Sequence, residues 1–303
     1  MTSAGFIGGD WGTTRLRLFL CDRDGGVLAR RDGPGVADAG ERAAEIFAEL
    51  TAGWDAALPA ILCGMVGSTI GWREAAYLPC PVAADAIAQG ALRFAAATRD
   101  IAIIPGLSCR NAIGLFDVMR GEETQILGAL RLKQELAQGR HLFCLPGTHA
   151  KWVLVEDGHV AHFQTALSGE LFALLSAHSV LARGAGAVDG DHPAFAEGLG
   201  LARKQTQAGL LHLLFSTRSR QLAGEIPKAA AASYLSGLVI GEDVAAALRL
   251  FGGHARVTLV CAPELAALYA KALAAHGVGS DTITGEDTAL AGLAFVHQAL
   301  LGA

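Results

Sequence analysis

FIGGDWGTTRLRLFLC, residues 6–21, is the stretch that decides the fold. Residues 6–10 form a short, largely apolar run that predicts a strand. Residues 15–21 place a leucine at every second position, and this period of two is typical of a half-buried strand. A glycine turn then leads into a third predicted strand at 27–31. The chain is therefore expected to open with three antiparallel strands, with Asp10-Trp-Gly-Thr-Thr14 in the first turn.

The same pattern returns in HLFCLPGTHAKWVLVE, residues 141–156. A strand, a Gly-Thr turn and a second strand are followed by an Asp-Gly turn and a third predicted strand at 159–165. Such a restart indicates an internal duplication. We therefore predict two similar α/β domains, residues 1–138 and 139–303, with the last helix, 287–303, packing back on the first.

Helices are predicted between and after these groups of strands. They fall at about 39–58, 84–96, 122–138, 168–182, 193–214, 230–250, 263–276 and 287–301. Further buried strands are predicted at 60–63, 101–104 and 256–261. Alternation of buried strands with helices is typical of an α/β fold.

The bulk composition narrows the class of protein. At 303 residues the chain is long enough for two domains. A net charge of −5 without a Lys/Arg-rich run argues against nucleic-acid binding. Apolar runs are interrupted before the ~20 residues of a membrane span. The six cysteines form no CxxC pair, so neither a metal site nor a disulfide framework is indicated. Free buried thiols, as in proteins of a reducing cytoplasm, are expected instead. We expect a cytoplasmic protein with no nucleic-acid or membrane partner, and the sequence leaves a homodimer open.

Two Gly-Thr turns are candidate phosphate-binding loops. Successive backbone N–H groups in such a turn form an anion-binding nest, and threonine hydroxyls add donors. The first candidate comprises Gly12, Thr13 and Thr14, and the second comprises Gly147 and Thr148. Because both occupy the same place in the repeat, we expect them to face one interdomain cleft and to hold a polyphosphate.

Four charged residues lie near these turns or at the start of a helix. Asp10 ends its strand at the first turn, where a carboxylate can hold the water shell of Mg²⁺. Lys151 follows the second turn and could neutralise a transferring phosphate, and a solvated strand-end lysine is the alternative. Glu122 and Glu123 begin a helix. One of them, with Glu122 preferred, could accept the proton of a substrate hydroxyl, and stabilisation of the helix dipole is the alternative.

A glycine-rich loop after a buried strand is the candidate substrate pocket. Its members are Gly64, Met65, Val66, Gly67 and Ser68, joined by Trp72. Loops at the carboxyl ends of strands are where α/β folds bind ligands. Arg15 or Arg120 could hold a substrate carboxylate. A plain glycine-rich connection is the alternative, and neither a Walker nor a Rossmann glycine motif occurs in the sequence.

An ordered set of short motifs runs through nearly the whole chain. The motifs are DWGTT (10–14), GMVGS (64–68), GW (71–72), YLP (77–79), IPG (104–106), VMRGEETQ (118–125), PGTH (146–149), KWV (151–153), LSGEL (167–171), SGLVIG (236–241) and GEDTA (285–289). Each is weak alone. In this order they resemble the 2-dehydro-3-deoxygalactonokinase family, within the superfamily of acetate and sugar kinases, heat-shock chaperones and actin.

The resemblance implies two duplicated ribonuclease-H-like (actin-like ATPase) domains with ATP in the interdomain cleft. It implies transfer of the ATP γ-phosphate, with Mg²⁺, to O6 of a sugar-acid substrate, 2-dehydro-3-deoxy-D-galactonate, in galactonate catabolism. Carried onto this chain, Asp10 is the Mg-linked acid, the two Gly-Thr turns are the phosphate loops, and Glu122 or Glu123 is the base. The chain departs from the pattern at Ala262-Pro263, where relatives usually carry Gly-Ser or Gly-Gly beside adenosine.

Two other functional classes fit the same fold. A phosphohydrolase of the superfamily would release phosphate without a sugar acceptor. A non-catalytic sugar-acid sensor would keep the sugar pocket and lose the phosphate loops or the acids. This sequence retains both the loops and the acids.

Overall fold

The computed structural model describes residues 4–96 and 98–301. Its strands are β1 (Ala4–Trp11), β2 (Arg15–Asp22), β3 (Val27–Pro34), β4 (Ala60–Cys63), β5 (Tyr77–Pro79), β6 (Val82–Ala83), β7 (Leu92–Ala96), β8 (Arg99–Ile103), β9 (Gly106–Arg110), β10 (Phe116–Met119), β11 (Arg140–Leu145), β12 (Ala150–Glu156), β13 (His159–Ala166), β14 (Arg256–Val260) and β15 (Gly279–Ile283). Its helices are α1 (Val36–Ala39), α2 (Ala43–Leu50), α3 (Ala84–Gln89), α4 (Glu122–Leu132), α5 (Ser168–His178), α6 (Pro193–Lys204), α7 (Leu210–Leu214), α8 (Ser216–Leu222), α9 (Ala231–Phe251), α10 (Pro263–Ala275) and α11 (Gly285–Leu301). Short 3₁₀ segments lie at Gly40–Arg42, Met65–Gly67, Gln134–Ala137 and Lys228–Ala230.

The first sheet has six strands in the order β3-β2-β1-β4-β8-β7. β1 runs antiparallel to β2 and parallel to β4, and β4 runs parallel to β8. The alternation predicted along β2 holds over residues 15–18, because Leu16 and Leu18 are fully buried while Arg15 is exposed, whereas Phe19 and Cys21 beyond them are buried as well. The buried leucines pack in a core that includes Ile7 and Leu62. The carboxyl ends of β1 and β4 therefore meet at one edge of the sheet.

The second six-stranded sheet repeats this connectivity, in the order β15-β14-β11-β12-β13-β6. In it β13-β12-β11-β14-β15 corresponds to β3-β2-β1-β4-β8 of the first sheet. β14 runs parallel to both β11 and β15, as β4 does to its neighbours. The predicted α/β fold with two duplicated ribonuclease-H-like units is thus confirmed. A small third sheet has the order β10-β9-β5.

The chain forms two compact units. Unit one consists of Met1–Arg140, Val155–Phe163 and Gly285–Ala303, and unit two consists of His141–Leu154 and Gln164–Thr284. The last helix, α11, and the segment 155–163 thus group with the amino-terminal part of the chain. As functional domains, 1–138 and 139–303 stay a prediction.

Helices α4 and α11 of unit one cross at very close range. A Cβ atom on Gly128 would stand 1.7 Å from the Thr288 carbonyl oxygen. A Cβ on Gly292 would stand 2.0 Å from the Thr124 carbonyl oxygen. Only glycine leaves room for backbones at this distance. The crossing therefore fixes where α4 lies, and with it the acids at its start.

The Gly128→Ala substitution should destabilise unit one. The added methyl group would overlap backbone atoms of α11, which cannot rotate away as a side chain can. We expect a loss of at least about 3 kcal/mol in unfolding free energy, at the upper end of overpacking costs. The matched control is Gly200→Ala in α6, where a Cβ meets no atom within 4 Å and should be neutral or stabilising. Equal melting temperatures of the two variants would contradict this account.

Four predicted helices differ from the observed ones, and the one at 122–138 ends at Leu132, before a 3₁₀ segment at Gln134–Ala137. The helix at 39–58 is interrupted by a 3₁₀ turn and ends at Leu50, and the helix at 193–214 divides into α6 and α7. The second half of the predicted helix 84–96 is strand β7, which pairs with β8. Its alanines favour a helix by propensity, but the pairing with a neighbouring strand decides the conformation.

Helix α9, with the turn before it, is long and apolar enough to cross a membrane by length and composition. Its most apolar window is 83% buried within the protein. A helix covered on nearly all sides is apolar all round for that reason. α9 is therefore the core helix of unit two.

Candidate active site

Asp10 lies at the carboxyl end of β1, beside the end of β4. Its partner in the parallel pairing is Cys63, and its partner in the antiparallel pairing with β2 is Arg17. The Arg17 guanidinium forms an ion pair with the Asp10 carboxylate. The Asp10 side chain is 19% exposed, so a ligand can still reach the carboxylate.

The loop after β4 comes close to Asp10. Gly64 has a φ of 88°, and a Cβ there would lie 2.9 Å from the Trp11 carbonyl oxygen and 3.5 Å from Asp10 Oδ1. A Cβ on Gly121, the residue before α4, would lie 3.4 Å from Gly64 Cα. The ends of β1 and β4 and the start of α4 therefore meet in unit one, although they are distant in sequence.

Glu122 and Glu123 begin α4 at this meeting point. Glu123 is fully buried. The Gly121 N–H donates to both Glu123 carboxylate oxygens, at 2.9 and 2.7 Å, and Thr124 Oγ1 donates to Oε1 at 3.2 Å. Glu122 is half-buried, and its Oε2 accepts a 3.1 Å hydrogen bond from the Arg120 N–H. Each acid thus accepts a hydrogen bond from a backbone amide that precedes the helix. Such a contact stabilises the start of α4 and is the structural alternative to a catalytic role.

The environment of Glu123 favours its neutral form. Burial, and after it the nearby charge of Glu122, raises the pKa of Glu123 to about 8. The hydrogen bond from the Gly121 amide and the charge of Arg120 oppose this shift. A carboxyl with such a pKa is mostly protonated at neutral pH and is a poor proton acceptor there. This favours Glu122, the less buried acid, as the candidate base.

The Glu123→Gln substitution should change how stability depends on pH. The folded pKa of about 8 lies above the value of about 4.3 in an unfolded chain. The carboxyl therefore favours folding fully below pH ~4, and this contribution is lost as pH rises through about 8. Glutamine does not ionise. Between pH 5 and 8 the variant should gain on the wild type by about 1.4 kcal/mol per pH unit. Calorimetric melting curves that run parallel across this range would show an ordinary pKa for Glu123.

Arg120 lies against the candidate substrate loop. Its Nη2 donates to the Ala75 carbonyl oxygen at 2.7 Å, and its guanidinium stacks 4.3 Å from the centroid of the Tyr77 ring. Nη1 stands 2.7 Å from where a Cβ on Gly67 would be. Among residues 4–96 and 98–301, Nε and Nη1 are buried and have no hydrogen-bond partner. The structure thus brings Arg120 and the loop together, and two nitrogen atoms of the guanidinium remain available to donate to a ligand.

The side chains of the substrate loop point mostly into the core. Val66 is fully buried, and Ser68 Oγ donates to the Met65 carbonyl oxygen at 2.7 Å. The Trp72 ring packs 5.4 Å from both the Phe47 and the Phe94 ring. Contacts from this loop to a ligand would therefore come chiefly from its backbone. Direct substrate binding by Val66, Ser68 and Trp72 stays a prediction.

Arg15 is not brought to that loop by any contact within the described ranges. Its side chain is 60% exposed and pairs with Asp32 of β3 at 2.9 Å. Arg17 is the basic residue that contacts Asp10, and the sequence analysis did not single it out. The hairpin register, which sets Asp10 opposite Arg17, is the signal that could have identified it.

A chain of alternating charges extends from the Asp10–Arg17 pair. Arg17 Nη1 lies 3.6 Å from Glu286 Oε2 at the start of α11. Arg30 Nη1 lies 3.0 Å from the same carboxylate oxygen. Glu286 belongs to the GEDTA motif, to which no role was assigned from sequence. The structure places that motif beside β2 and β3, where it supports the partner of Asp10.

The first Gly-Thr turn has two exposed threonines, and backbone hydrogen bonds of Gly12 hold it in place. Thr13 and Thr14 are exposed, whereas Gly12 is half-buried. The Gly12 N–H donates to the Arg15 carbonyl oxygen at 2.9 Å, and the Gly12 carbonyl accepts from the Val36 N–H at 3.0 Å. The two threonines are thus the accessible part of the turn.

The second Gly-Thr turn contacts the start of α5 in unit two. Gly147 and Thr148 are exposed. The Glu170 N–H donates to the Thr148 carbonyl oxygen at 2.8 Å, and a Cβ on Gly169 would lie 2.2 Å from the Gly147 carbonyl oxygen. The Glu170 side chain lies 2.5 Å from His149 Nε2. A helix amino terminus, which favours anions, therefore adjoins this turn.

Lys151 is buried, with 5% of its surface exposed, in the strand that follows the second turn. The alternative of a solvated strand-end lysine is therefore wrong. A buried lysine is stable only with polar or charged partners, because burial of an unpaired charge is costly in free energy. Its role toward phosphate stays a prediction.

A largely apolar cavity of about 190 Å³ opens beside the second turn, within unit two. Gly147 and Ser168 line one part of it, and Leu265, Leu268 and Tyr269 of α10 line another. The departure at 262–263 lies at the start of that helix, so α10 still forms a wall of the cavity. The volume suits one planar ring system rather than a whole drug-sized ligand.

Asp243 of α9 joins three elements behind this cavity. Its Oδ1 accepts a 2.8 Å hydrogen bond from Trp152 Nε1. Its Oδ2 accepts hydrogen bonds of 2.5 Å from Ser168 Oγ and 2.7 Å from Tyr269 Oη. Burial raises the pKa of Asp243, and the three hydrogen bonds oppose that shift. Asp243 is not among the residues predicted from sequence, although an aspartate inside a largely apolar helix is a visible signal.

The part of the chain that the structure describes holds no group of three or more His, Cys, Asp or Glu side chains suited to a metal ion. Burial, with the charges of Asp10 and Glu123 nearby, raises the pKa of the Cys63 thiol well above its usual value. Cys63 is therefore a buried apolar residue and not a metal ligand or nucleophile. A metal ion at Asp10 would depend on further oxygen ligands from a substrate or water.

Comparison with known proteins supports one family over nearly the whole chain. The family model for 2-keto-3-deoxy-galactonokinase matches residues 10–296. The "Probable 2-dehydro-3-deoxygalactonokinase DgoK1" of Rhizobium meliloti (strain 1021) is 37% identical, with 99% of both chains covered. The "2-dehydro-3-deoxygalactonokinase" of Escherichia coli (strain K12) is 34% identical, covering 98% of this chain and 99% of its own.

A solved structure agrees with these relatives. The crystal structure of a "2-dehydro-3-deoxygalactonokinase protein" from Sinorhizobium meliloti superimposes with a TM-score of 0.90 at 36% identity. The alignment covers 98% of this chain and 100% of the crystallised one. The family expected from the ordered motifs is confirmed, and the chain belongs to the 2-keto-3-deoxy-galactonokinase family.

Proposed function

We propose that this chain transfers the γ-phosphate of ATP to O6 of 2-dehydro-3-deoxy-D-galactonate in galactonate breakdown. The main support is the family match over residues 10–296, which includes every segment proposed for the site. The meeting of Asp10, the Gly64 loop and the start of α4 within unit one is consistent with that chemistry. We further propose a cytoplasmic enzyme with no nucleic-acid or membrane partner.

The Gly-Thr turn of each repeat is proposed as a phosphate-binding element of its own unit. The exposed Thr13 and Thr14 would donate to phosphate oxygens from the first turn. Gly147 and Thr148, beside the amino terminus of the 11-residue α5, would do the same from the second. The apolar cavity next to Gly147 would take the adenine ring. Lys151 would offset phosphate charge from its place after that turn.

Asp10 has the chemistry expected of a residue that holds Mg²⁺. Its carboxylate is a hard oxygen donor at a strand end, and it stays partly exposed despite the ion pair with Arg17. Mg²⁺ is usually bound through one or two carboxylates together with waters and substrate phosphates. When bound, the ion would neutralise charge that develops on the transferring phosphate.

Glu122 is proposed as the general base. The bond from the γ-phosphorus to the β,γ-bridging oxygen breaks while a bond to the substrate hydroxyl oxygen forms. The hydroxyl proton must leave in the same step, and a carboxylate within hydrogen-bond reach can accept it. Glu122 lies at the start of α4 beside the Gly64 loop, and its half-buried position leaves it open to a bound substrate.

The substrate carboxylate is proposed to bind Arg120. This guanidinium keeps Nε and Nη1 without a partner among the described residues, and Nη1 lies next to Gly67. Nη1 would donate a charge-assisted hydrogen bond to the substrate carboxylate. Backbone amides of the Gly64–Ser68 loop would add further donors. Arg15, which is paired with Asp32, is the weaker candidate for this role.

The test of the function is a coupled assay of ADP release over a panel of 2-keto-3-deoxy sugar acids. We expect turnover with the six-carbon galactonate-derived acid and a phosphorylated product at its terminal hydroxyl. Phosphate release that needs no acceptor would support a phosphohydrolase instead. Tight binding of the acid without turnover would support a sensor. Turnover with other kinase acceptors alone would overturn the substrate assignment and leave the kinase class standing.

The Arg120→Lys substitution should weaken sugar-acid binding more than it slows the reaction. Lysine keeps the charge but loses the fork and the stacking on Tyr77. We expect the KM for the sugar acid to rise roughly 10- to 100-fold, as for a lost charge-assisted hydrogen bond of about 1.5–3 kcal/mol, with kcat within a few-fold. The control is Arg15→Lys, which should leave this KM almost unchanged. A KM that rises in the control and not in Arg120→Lys would exchange the two roles.

A further inference from the structure

The Asp243 carboxylate stands at the junction of the elements that frame the second Gly-Thr turn. It is 8% exposed and lies within the largely apolar core helix α9. Three side chains donate to it at 2.5–2.8 Å, and each comes from a different element of unit two. An ionised carboxylate has enough lone pairs to accept all three hydrogen bonds.

Each hydrogen bond leads to the proposed nucleotide region. Ser168 is the first residue of α5 and is followed by Gly169, which packs on the Gly147 carbonyl. Tyr269 and Ser168 both line the cavity beside that turn. Trp152 follows Lys151 directly along β12. Asp243 itself does not line this cavity, so it acts through these neighbours.

Stability alone gives a weak reason for a carboxylate at this place. Removing a charge from water costs several kcal/mol, and apolar residues of similar volume often replace buried charged groups without loss of stability. A buried acceptor that fixes three donors at once instead contributes defined geometry. Phosphate and ring binding depend on geometry, since a misplacement of about 1 Å can cost 10²-fold in rate.

We infer that Asp243 is a positioning residue of the nucleotide subsite, which holds the α5 amino terminus and Tyr269 in register with the Gly147–Thr148 turn. The inference rests on the proposed use of ATP by this chain. It assigns Asp243 no contact with substrate or with the reacting atoms. Its effect should therefore appear in nucleotide binding and hardly at all in sugar-acid binding.

The Asp243→Asn variant tests this most directly because it keeps the volume of the side chain. One carboxylate oxygen becomes an NH₂ group, which faces either the indole N–H or the two hydroxyls. In either case at least one of the three hydrogen bonds is lost or reversed. We expect the KM for ATP, and the Kd for ATP in titration calorimetry, to rise roughly tenfold or more, with the sugar-acid KM within twofold.

Two tyrosines provide a matched control. Tyr269→Phe removes the hydroxyl that donates to Asp243, whereas Tyr234→Phe removes a buried hydroxyl on α9 that lies 2.9 Å from Ser216 Oγ. Each variant loses one buried tyrosine hydroxyl together with its hydrogen bonding. Only Tyr269→Phe should weaken ATP binding. Equal ATP affinity in both, with equal losses of melting temperature, would reduce the hydrogen bonds around Asp243 to a purely structural role.

Ser168→Ala keeps the test decisive if Asp243→Asn does not fold. It removes a single hydrogen bond at the start of α5, and it should raise the KM for ATP in the same direction. Where Asp243→Asn does fold, its effect and that of Ser168→Ala should not add in the double variant, because both changes break the same hydrogen bond. Wild-type ATP affinity in Ser168→Ala and Tyr269→Phe would overturn the inference. Failure of the wild-type protein to bind ATP would instead overturn the proposed function.

Discussion

The Asp10→Asn variant should fold normally and lose kcat on the order of 10²–10³-fold, the several kcal/mol that a catalytic metal site supplies. Asparagine has the same shape but no charge, so it would hold a metal ion and its water shell much less well. The fold should survive because Arg17 keeps a second carboxylate, that of Glu286, 3.6 Å away. The measurement is kcat against Mg²⁺ concentration, with circular dichroism as the folding check.

The matched control for Asp10→Asn is Asp32→Asn, at the far end of the same chain of charges. Asp32 is 44% exposed and pairs with Arg15 and Arg30 on the outer strands. Exposed ion pairs contribute about 0–1 kcal/mol, so this variant should keep kcat within about twofold. Full activity of Asp10→Asn at saturating Mg²⁺ would remove Asp10 from the site. Equal losses in both variants would point to the charge chain as a whole.

The Glu122→Gln variant should lose turnover by roughly 10²–10⁴-fold, the usual share of general-base catalysis, with little change in either KM. Glutamine still accepts the hydrogen bond from the Arg120 amide, so the start of α4 should keep its geometry. It cannot take the proton of a substrate hydroxyl. A kcat that falls together with kcat/KM is the signature of an interaction made only in the transition state.

The neighbouring acid provides the comparison for Glu122→Gln. Glu123→Gln should be milder, because Glu123 is fully buried and mostly protonated at neutral pH. If Glu123→Gln proves to be the crippled variant, the base is the buried acid and binding of substrate must open its surroundings. If neither variant loses more than a few-fold, general-base catalysis from this helix is excluded.

The sequence predicted the strands of both repeats well because their signals are local. The alternation along β2 and the recurrence of a Gly-Thr turn between strands need no knowledge of distant residues. Strand β7 was predicted as helix because its alanine-rich sequence favours a helix, and only the pairing with β8 decides otherwise. The polar strand β15 was missed for a similar reason, since its partner β14 lies on the far side of a helix.

The site was predicted less completely than the fold. Residues at turns and helix starts were found because their types are unusual there. Arg17 and Asp243 were missed because their roles depend on which residue lies opposite, and that follows from register and packing rather than from composition. The preference for Glu122 over Glu123 was made without knowledge of burial. Burial of Glu123 now gives it a physical reason, and its test stays open.

Unit one is completed by a helix that lies far along the chain from the rest of the unit. Helix α4 lies in the first half of the chain, yet the partner on which Gly128 packs comes from residues 285–301. At roughly 5–20 residues per second, the ribosome needs on the order of ten seconds to make the chain that separates them. Until then the nascent chain would carry Asp10 on β1 and Glu122 on α4 without the helix that packs against α4. The proposed site is therefore expected to be complete only once α11 has been synthesised, and a chain that stops short of α11 would leave the packing surface of α4 uncovered.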